Sequence, residues 1–302
     1  APVPRSDREN ADAIQTKADE LLRDGVVDCV IGYEVGPRGR TRPTFVYHSA
    51  HVDRLVWNPD CTHNLTTYLK DKLSPDHKKP EEERPRVAVV AKPCDSKAIH
   101  VLMAENQIQR EQVHVIGIAC EGIAQSSNQA AGSGETRLQD RCARCDQRTP
   151  VLYDTLIGDP ESISVTETAD ICEHLAQLDA LPPPERTEYW LAQFDRCIRC
   201  YACRQTCPMC NCPTCLYERD DSLWVGMNIE LNEKRTFHLG RAYHLAGRCI
   251  GCDECQRACP MDIPISLLNM KLADEMQTHF GFQAGLAPEP SPITTILSGE
   301  EV

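Results

Sequence analysis

The chain has 302 residues, 41% hydrophobic and 25% charged, an ordinary balance for a folded protein and enough length for two modest domains. Its 45 Asp and Glu against 32 Lys and Arg give a net charge of −13, which argues against nucleic acid as a partner. No apolar run approaches the roughly 18 residues of a membrane helix, and the amino end lacks the charged-then-apolar layout of a secretory signal. The expectation is a cytoplasmic protein without membrane insertion.

In chain order, Ala13, Ile14, Ala18, Leu21 and Leu22 recur near helical spacing and Gly25 follows, which predicts a helix over 10–23. Apolar, β-branched runs predict strands over 26–32 and 44–48, with turn residues at 36–40 between them. A second helix is expected over 64–73, then a charged, proline-flanked linker over 76–84. From residue 86 the pattern becomes strand (87–91), helix (96–105) and strand (113–118), the signature of a parallel α/β unit. The Ser-, Gly- and Gln-rich stretch 125–136 reads as a loop, and Leu181-Pro-Pro-Pro184 as a stiff break between domains. Beyond it, helices are expected from 189, over 236–246 and over 265–276, and the proline-containing end reads as an extended tail.

Eighteen cysteines are the exceptional number, because a chain able to build a core of this size needs no disulfide staples. Cys197-Ile-Arg-Cys200-Tyr-Ala-Cys203-Arg-Gln-Thr-Cys207-Pro has the bacterial ferredoxin spacing, and Cys249-Ile-Gly-Cys252-Asp-Glu-Cys255-Gln-Arg-Ala-Cys259-Pro repeats it. In such pairs three thiolates of one loop cap three irons, and the fourth cysteine reaches the other cluster. One 4Fe-4S cluster then takes Cys197, Cys200, Cys203 and Cys259, the other Cys249, Cys252, Cys255 and Cys207. Cys-x-x-Cys spacing also serves zinc, but two full runs each ending in Cys-Pro favour clusters.

Cys210, Cys212 and Cys215 crowd beside the first run, as alternative ligands or as part of another metal site for which His238 or His244 could supply a fourth group. Cys94 and Cys120 lie just past the carboxyl ends of the two apolar strands, the edge where open α/β sheets place ligands. With Cys142 and Cys145 they make four thiols, enough for a third 4Fe-4S cluster; spacing alone leaves equally open two buried strand-end cysteines beside a local zinc or redox pair.

Lys92-Pro-Cys-Asp95 with Lys97-Ala98, Gly117-Ile-Ala-Cys120-Glu-Gly122 and Cys142-Ala-Arg-Cys145 resemble the beta-subunit family of deazaflavin-reducing hydrogenases and formate dehydrogenases. Trp57-Asn-Pro-Asp-Cys-Thr-His-Asn-Leu65 and Tyr68-Leu69 are similar to its amino-terminal part, and Cys197–Cys203, Cys210-Asn-Cys212 and Phe237–Cys249 are similar to the carboxyl end of formate dehydrogenase beta subunits. The resemblance implies a 4Fe-4S cluster on Cys94, Cys120, Cys142 and Cys145. It also implies a flavin such as FAD, but only about 50 residues separate Cys145 from Cys197, where the family carries a longer flavin- and deazaflavin-binding domain. No Gly-x-Gly-x-x-Gly run follows a predicted strand either.

The expected fold is α+β: an N-terminal α/β domain (1–180) with a cluster at the sheet edge, a mainly helical dicluster ferredoxin domain (185–276) and an extended tail (277–302). The expected function is that of a non-catalytic iron-sulfur electron-transfer subunit. Resemblance supplies its partners: a catalytic formate dehydrogenase or hydrogenase subunit and a flavin-containing subunit of heterodisulfide-reductase type. The alternative is a flavin-bearing beta subunit that itself oxidises or reduces a deazaflavin or nicotinamide coenzyme. Arg199, Arg204, Arg248 and Arg257 are candidates for raising cluster potentials.

Overall fold

In the computed structural model, the first helix, α1 (Arg5–Arg23), buries Ile14, Ala18 and Leu21 along one stripe, the i, i+4, i+7 face of an amphipathic helix. The structure describes residues 5–73, 80, 84–123, 138–163, 173–219 and 225–295; the expected loop 125–136, most of the expected linker 76–84 and Cys172 lie outside them. The first strand, β1 (Cys29–Val35), starts three residues later than the apolar run suggested. The amide of Val26 is still bonded to the Leu21 carbonyl at 3.0 Å, so this valine belongs to the exit turn of α1. β1 pairs antiparallel with β2 (Thr41–Val46). The expected helix 64–73 is a 3₁₀ turn capped by Asn64, continued by the single turn α2 (Leu69–Lys72).

β3 (Val87–Ala91), α3 (Pro93–Ala104) and β4 (Val113–Ile118) form the parallel unit read from the sequence, with both strands at the expected positions. The helix begins at Pro93 because proline suits a first helical turn and the Asp95 carboxylate accepts the Lys92 amide at 2.8 Å. This puts Cys94 inside that first turn. α4 (Asp140–Ala143) and β5 (Thr155–Ile157) follow, the latter too short to leave a pattern. The sheet order is β2-β1-β3-β4-β5, parallel except for β1 with β2.

The chain divides into two compact units, Ala1–Ala169 with Gly285–Glu289, and Asp170–Ala284 with Pro290–Val302. The second is helical: α5 (Glu173–Ala180), α6 (Pro183–Asp195), α7 (Ala202–Gln205), α8 (Leu231–Leu245), α9 (Glu254–Arg257), α10 (Ile265–Phe280) and α11 (Pro292–Thr295). The proline run opens α6, with Pro182 as N-cap and Pro183 first in the helix, where a missing amide costs nothing. Phe194 of α6 stacks on His238 of α8 at 4.8 Å between ring centroids. Cys203, Tyr217, Phe237, Cys255, Ile263 and Ile265 form a buried core around which both cysteine runs are wrapped. A mixed sheet in one unit and helices in the other make the chain α+β. Among the described residues no helix is long and apolar enough to cross a membrane.

Candidate metal centre

The two cysteine runs repeat in conformation as well as in spacing. Arg199 and Tyr201 hold φ of 55° and 58°, and the equivalent Gly251 and Asp253 hold 71° and 51°. Left-handed residues on either side of the second cysteine curl each loop, and in the first the Arg199 amide donates to the Cys197 sulfur at 3.3 Å. Each loop then enters one short helical turn, α7 or α9, that carries its third cysteine. Arg199 and Tyr201 accept an unfavourable backbone for this purpose; Tyr201 is held by its hydroxyl donating to the Tyr217 carbonyl at 3.1 Å.

The third dimension shows which cysteines meet. One cavity is lined by Cys197, Cys200, Cys203 and Cys259, with Phe237 and His238 among its walls. Cys207 is the electrostatic neighbour of Cys249, Cys252 and Cys255, and its charge opposes theirs. Each run therefore sends its fourth cysteine to the other run's loop. Burial pushes the Cys203 and Cys249 thiols up to about 11 and raises Cys252 and Cys255 as well. Buried thiols must release protons when they take a metal, whose positive charge then replaces the missing solvation. The Asn269 amide of α10 points at the Cys255 sulfur, 3.7 Å away.

At the sheet edge, Cys94 follows β3, Cys120 follows β4, and Cys142 and Cys145 come from α4 and its exit. Cys120 is the electrostatic neighbour of Cys94, Cys142 and Cys145. The loops are tied together: the Ile123 amide donates to the Cys142 sulfur at 3.3 Å, and Arg148 bonds the carbonyls of Glu121 and Cys142, both at 3.4 Å. Gly122 has φ +108°, and a Cβ there would stand 3.0 Å from Leu138 and 3.3 Å from the Cys142 Cβ, so only glycine keeps this approach. Burial pushes Cys120 up to about 11 and raises Cys94 further, against the nearby charges of Lys92 and Arg141. Lys92 is 1% exposed, and its ammonium pairs with Asp95 at 2.9 Å, the His63 carbonyl at 2.7 Å and the Tyr33 hydroxyl.

All three sets fit a 4Fe-4S cluster. Each brings four thiols near one another beside a buried cation, Arg199 or Arg241 in the helical unit and Lys92 or Arg141 at the sheet edge, which suits an anionic group; all but Cys200 are buried or half-buried. All 17 described cysteines are free of disulfides. A cubane spreads its four thiolates over four irons.

Several residues around the sets escaped the sequence reading. Arg241 is 4% exposed, donates to the Cys203 carbonyl at 3.0 Å and neighbours Cys207, Cys210, Cys255 and Cys203. Burial works to depress its guanidinium, but these sulfurs hold it well above its usual pKa. His238 is 3% exposed with Nε2 unpartnered, beside the first cavity, and burial with two nearby arginines lowers it to about 4. The available signal was the face of α8, where Lys234, His238 and Arg241 share the buried stripe with Phe237 and Leu245. Of the four arginines read from sequence, Arg199 is buried over the Phe237 ring, Arg204 and Arg248 line a neighbouring cavity, and Arg257 is exposed and paired with Glu254.

A helical unit built on two crossed cysteine loops defines an iron-sulfur electron-transfer protein, and residues 193–263 match the family model of the 4Fe-4S dicluster domain. Along nearly all its length the chain is similar to the F420-dependent formate dehydrogenase subunit beta of Methanocaldococcus jannaschii, 22% identical over 92% of this chain and 91% of the relative. It is equally similar to the F420-dependent formate dehydrogenase 1 subunit beta of Methanococcus maripaludis, 22% identical over 90% of each. The likeness to formate dehydrogenase beta subunits thus extends well past the motifs that first suggested it. The first alignment spans 365 positions, of which 92% of 302 residues fills only about 280, so the relative carries about 85 positions that this chain lacks.

Proposed function

We propose that this chain is the electron-transfer subunit of a multi-subunit oxidoreductase, carrying three 4Fe-4S clusters and no coenzyme site of its own. The observation that supports the reading is the neighbourhood of twelve cysteines in three groups of four: Cys197, Cys200, Cys203 and Cys259 line one cavity, Cys207 neighbours Cys249, Cys252 and Cys255, and Cys120 neighbours Cys94, Cys142 and Cys145. Bound clusters supply one-electron redox capacity without proton chemistry. The chain's own residues fix the thiolates, exclude water and set the charge around them. Lys92 and Arg141 do this at the sheet edge, and Arg241 does it between the two loops.

Cys200 is exposed and its neighbour Ile198 is 53% exposed, so the cavity holding them is where electrons would enter or leave towards a partner. The partners that fit are a catalytic formate dehydrogenase or hydrogenase subunit on one side and a flavin-containing, heterodisulfide-reductase-like subunit on the other, all in the cytoplasm, where thiols stay reduced. The shorter aligned length of this chain beside the M. jannaschii relative supports a subunit that has kept clusters and lost the coenzyme reaction. Cys94→Ser is the test: it should remove about a third of the iron and sulfide and leave the spectra of the other two clusters unchanged. Iron equal to wild type would overturn the third cluster.

A further inference from the structure

His238 sits on the buried face of α8, its ring packed flat on Phe194 at 4.8 Å between centroids and edge-on to Phe237 at 5.1 Å. Phenylalanine would serve that packing as well and would bury no nitrogen. Yet the residue is 3% exposed and its Nε2 is enclosed without a hydrogen-bond partner, and a buried polar atom left unpaired is costly and rare enough to require a cause. His238 also lines the cavity of Cys197, Cys200, Cys203 and Cys259. Besides those cysteines, the only other polar side chain among the described residues of that lining is Tyr201. Its hydroxyl is already engaged, accepting from Arg199 at 2.8 Å and donating to the Tyr217 carbonyl at 3.1 Å.

We propose that His238 sets the potential of the cluster on Cys197, Cys200, Cys203 and Cys259, its Nε2–H donating a hydrogen bond to a sulfur of that cluster. The inference rests on the reading that this set holds a 4Fe-4S cluster. A neutral imidazole carries one N–H and one bare nitrogen, and beside electron-rich thiolates and sulfides the tautomer with hydrogen on Nε2 is the favoured one. The group that the cavity would hold thus supplies the acceptor that the protein alone does not. The other cysteine loop has a counterpart in Asn269 of α10, also 3% exposed, whose amide points at the Cys255 sulfur at 3.7 Å. Each cluster of the helical unit then has one neutral, buried N–H donor from a helix outside its cysteine run.

Reduction adds one electron to a cluster and so adds negative charge to its sulfurs. An N–H···S bond strengthens with that charge, favours the reduced form and raises the potential. No proton leaves the imidazole and no bond to iron forms; His238 acts through the sulfur, and the cluster keeps its four cysteines without it.

The test titrates the anaerobically isolated full chain with a chemical reductant under EPR, as wild type, His238→Phe and His238→Gln. His238→Phe keeps a flat ring against Phe194 and Phe237 and has no N–H. Iron and sulfide should stay as in wild type, while at a fixed potential near its midpoint the reduced-to-oxidised ratio of the Cys197 cluster falls about tenfold, about 59 mV for a one-electron couple, with the other clusters unmoved. His238→Gln restores an N–H and should recover most of the shift. A midpoint in His238→Phe equal to wild type would overturn the proposal, as would a shift that His238→Gln leaves in place. Wild type also gives a reading that needs no variant: with nitrogen-15-labelled histidine, pulsed EPR of the reduced chain should show a weak nitrogen coupling. Absence of that coupling overturns the proposal, and so does a strong one, which marks a nitrogen bound to iron. The two readings fail separately: wild type lacking the Cys197 cluster refutes the cluster and the proposal with it, whereas an intact cluster with an unmoved potential refutes only the role of His238.

Discussion

Replacing Arg241 with Met removes one buried positive charge from between the two cysteine loops while keeping an unbranched stem. The guanidinium donates to the Cys203 carbonyl on one loop and neighbours Cys207 and Cys255 on the other, so both clusters should feel the loss. At a separation of about 7 Å and an effective dielectric constant of about 20, a unit charge is worth about 2.4 kcal/mol. On a one-electron couple this is about 100 mV. Reduction adds negative charge to a cluster, so loss of the cation lowers both potentials. Potentiometric titration followed by EPR reads this directly, and Arg241→Lys, which keeps the charge, should recover most of the shift. If the Met variant keeps both clusters with potentials within about 20 mV of wild type, the guanidinium is screened and the electrostatic reasoning is wrong.

Crossed ligation makes two opposite predictions. Cys259→Ser should damage the cluster seated on Cys197, Cys200 and Cys203, and Cys207→Ser the one seated on Cys249, Cys252 and Cys255; EPR of each variant showing the reverse loss would sink the assignment. Cluster loading should also depend on pH. Burial raises the Cys203 and Cys249 thiols to about 11, so protons compete with iron, and reconstitution of the apoprotein monitored by visible absorbance should weaken as pH falls from 8 towards 6. A yield that does not change over that range would contradict it. Gly240 lies directly under the Tyr217 hydroxyl, leaving no room for a Cβ. Gly240→Ala should therefore destabilise the second unit by about 1–3 kcal/mol through overpacking, partly offset by about 1 kcal/mol of helix propensity. Thermal loss of cluster absorbance measures it, and adding Tyr217→Phe should restore much of the stability if the hydroxyl is the obstacle.

The sequence made legible whatever follows from local spacing. The two ferredoxin runs, the strands at 87–91 and 113–118 and the parallel unit between them all rest on patterns a few residues long. Boundaries shifted where capping decided them: α3 begins at Pro93 because of the Lys92–Asp95 bond, and α6 begins on prolines that looked like a break. Strand β5 left no trace because three residues carry no periodicity. The buried cations were hidden for a different reason. Arg241 and Lys92 are buried because sulfurs or a carboxylate surround them, and those neighbours lie far along the chain or turn towards them only in three dimensions. The partition of histidines is of the same kind: His238 and His244 are six residues apart on one helix, yet line different cavities.

The central claim is most directly tested by isolating the chain without oxygen, counting iron, acid-labile sulfide, zinc and flavin, and titrating the sample with a reductant under EPR. About 12 irons, with equal sulfide, three clusters that each take up one electron reversibly and no stoichiometric flavin, is the expected result. Zinc in place of iron, or clusters that do not cycle at accessible potentials, would contradict electron transfer, and one bound flavin per chain would make this subunit an enzyme in its own right.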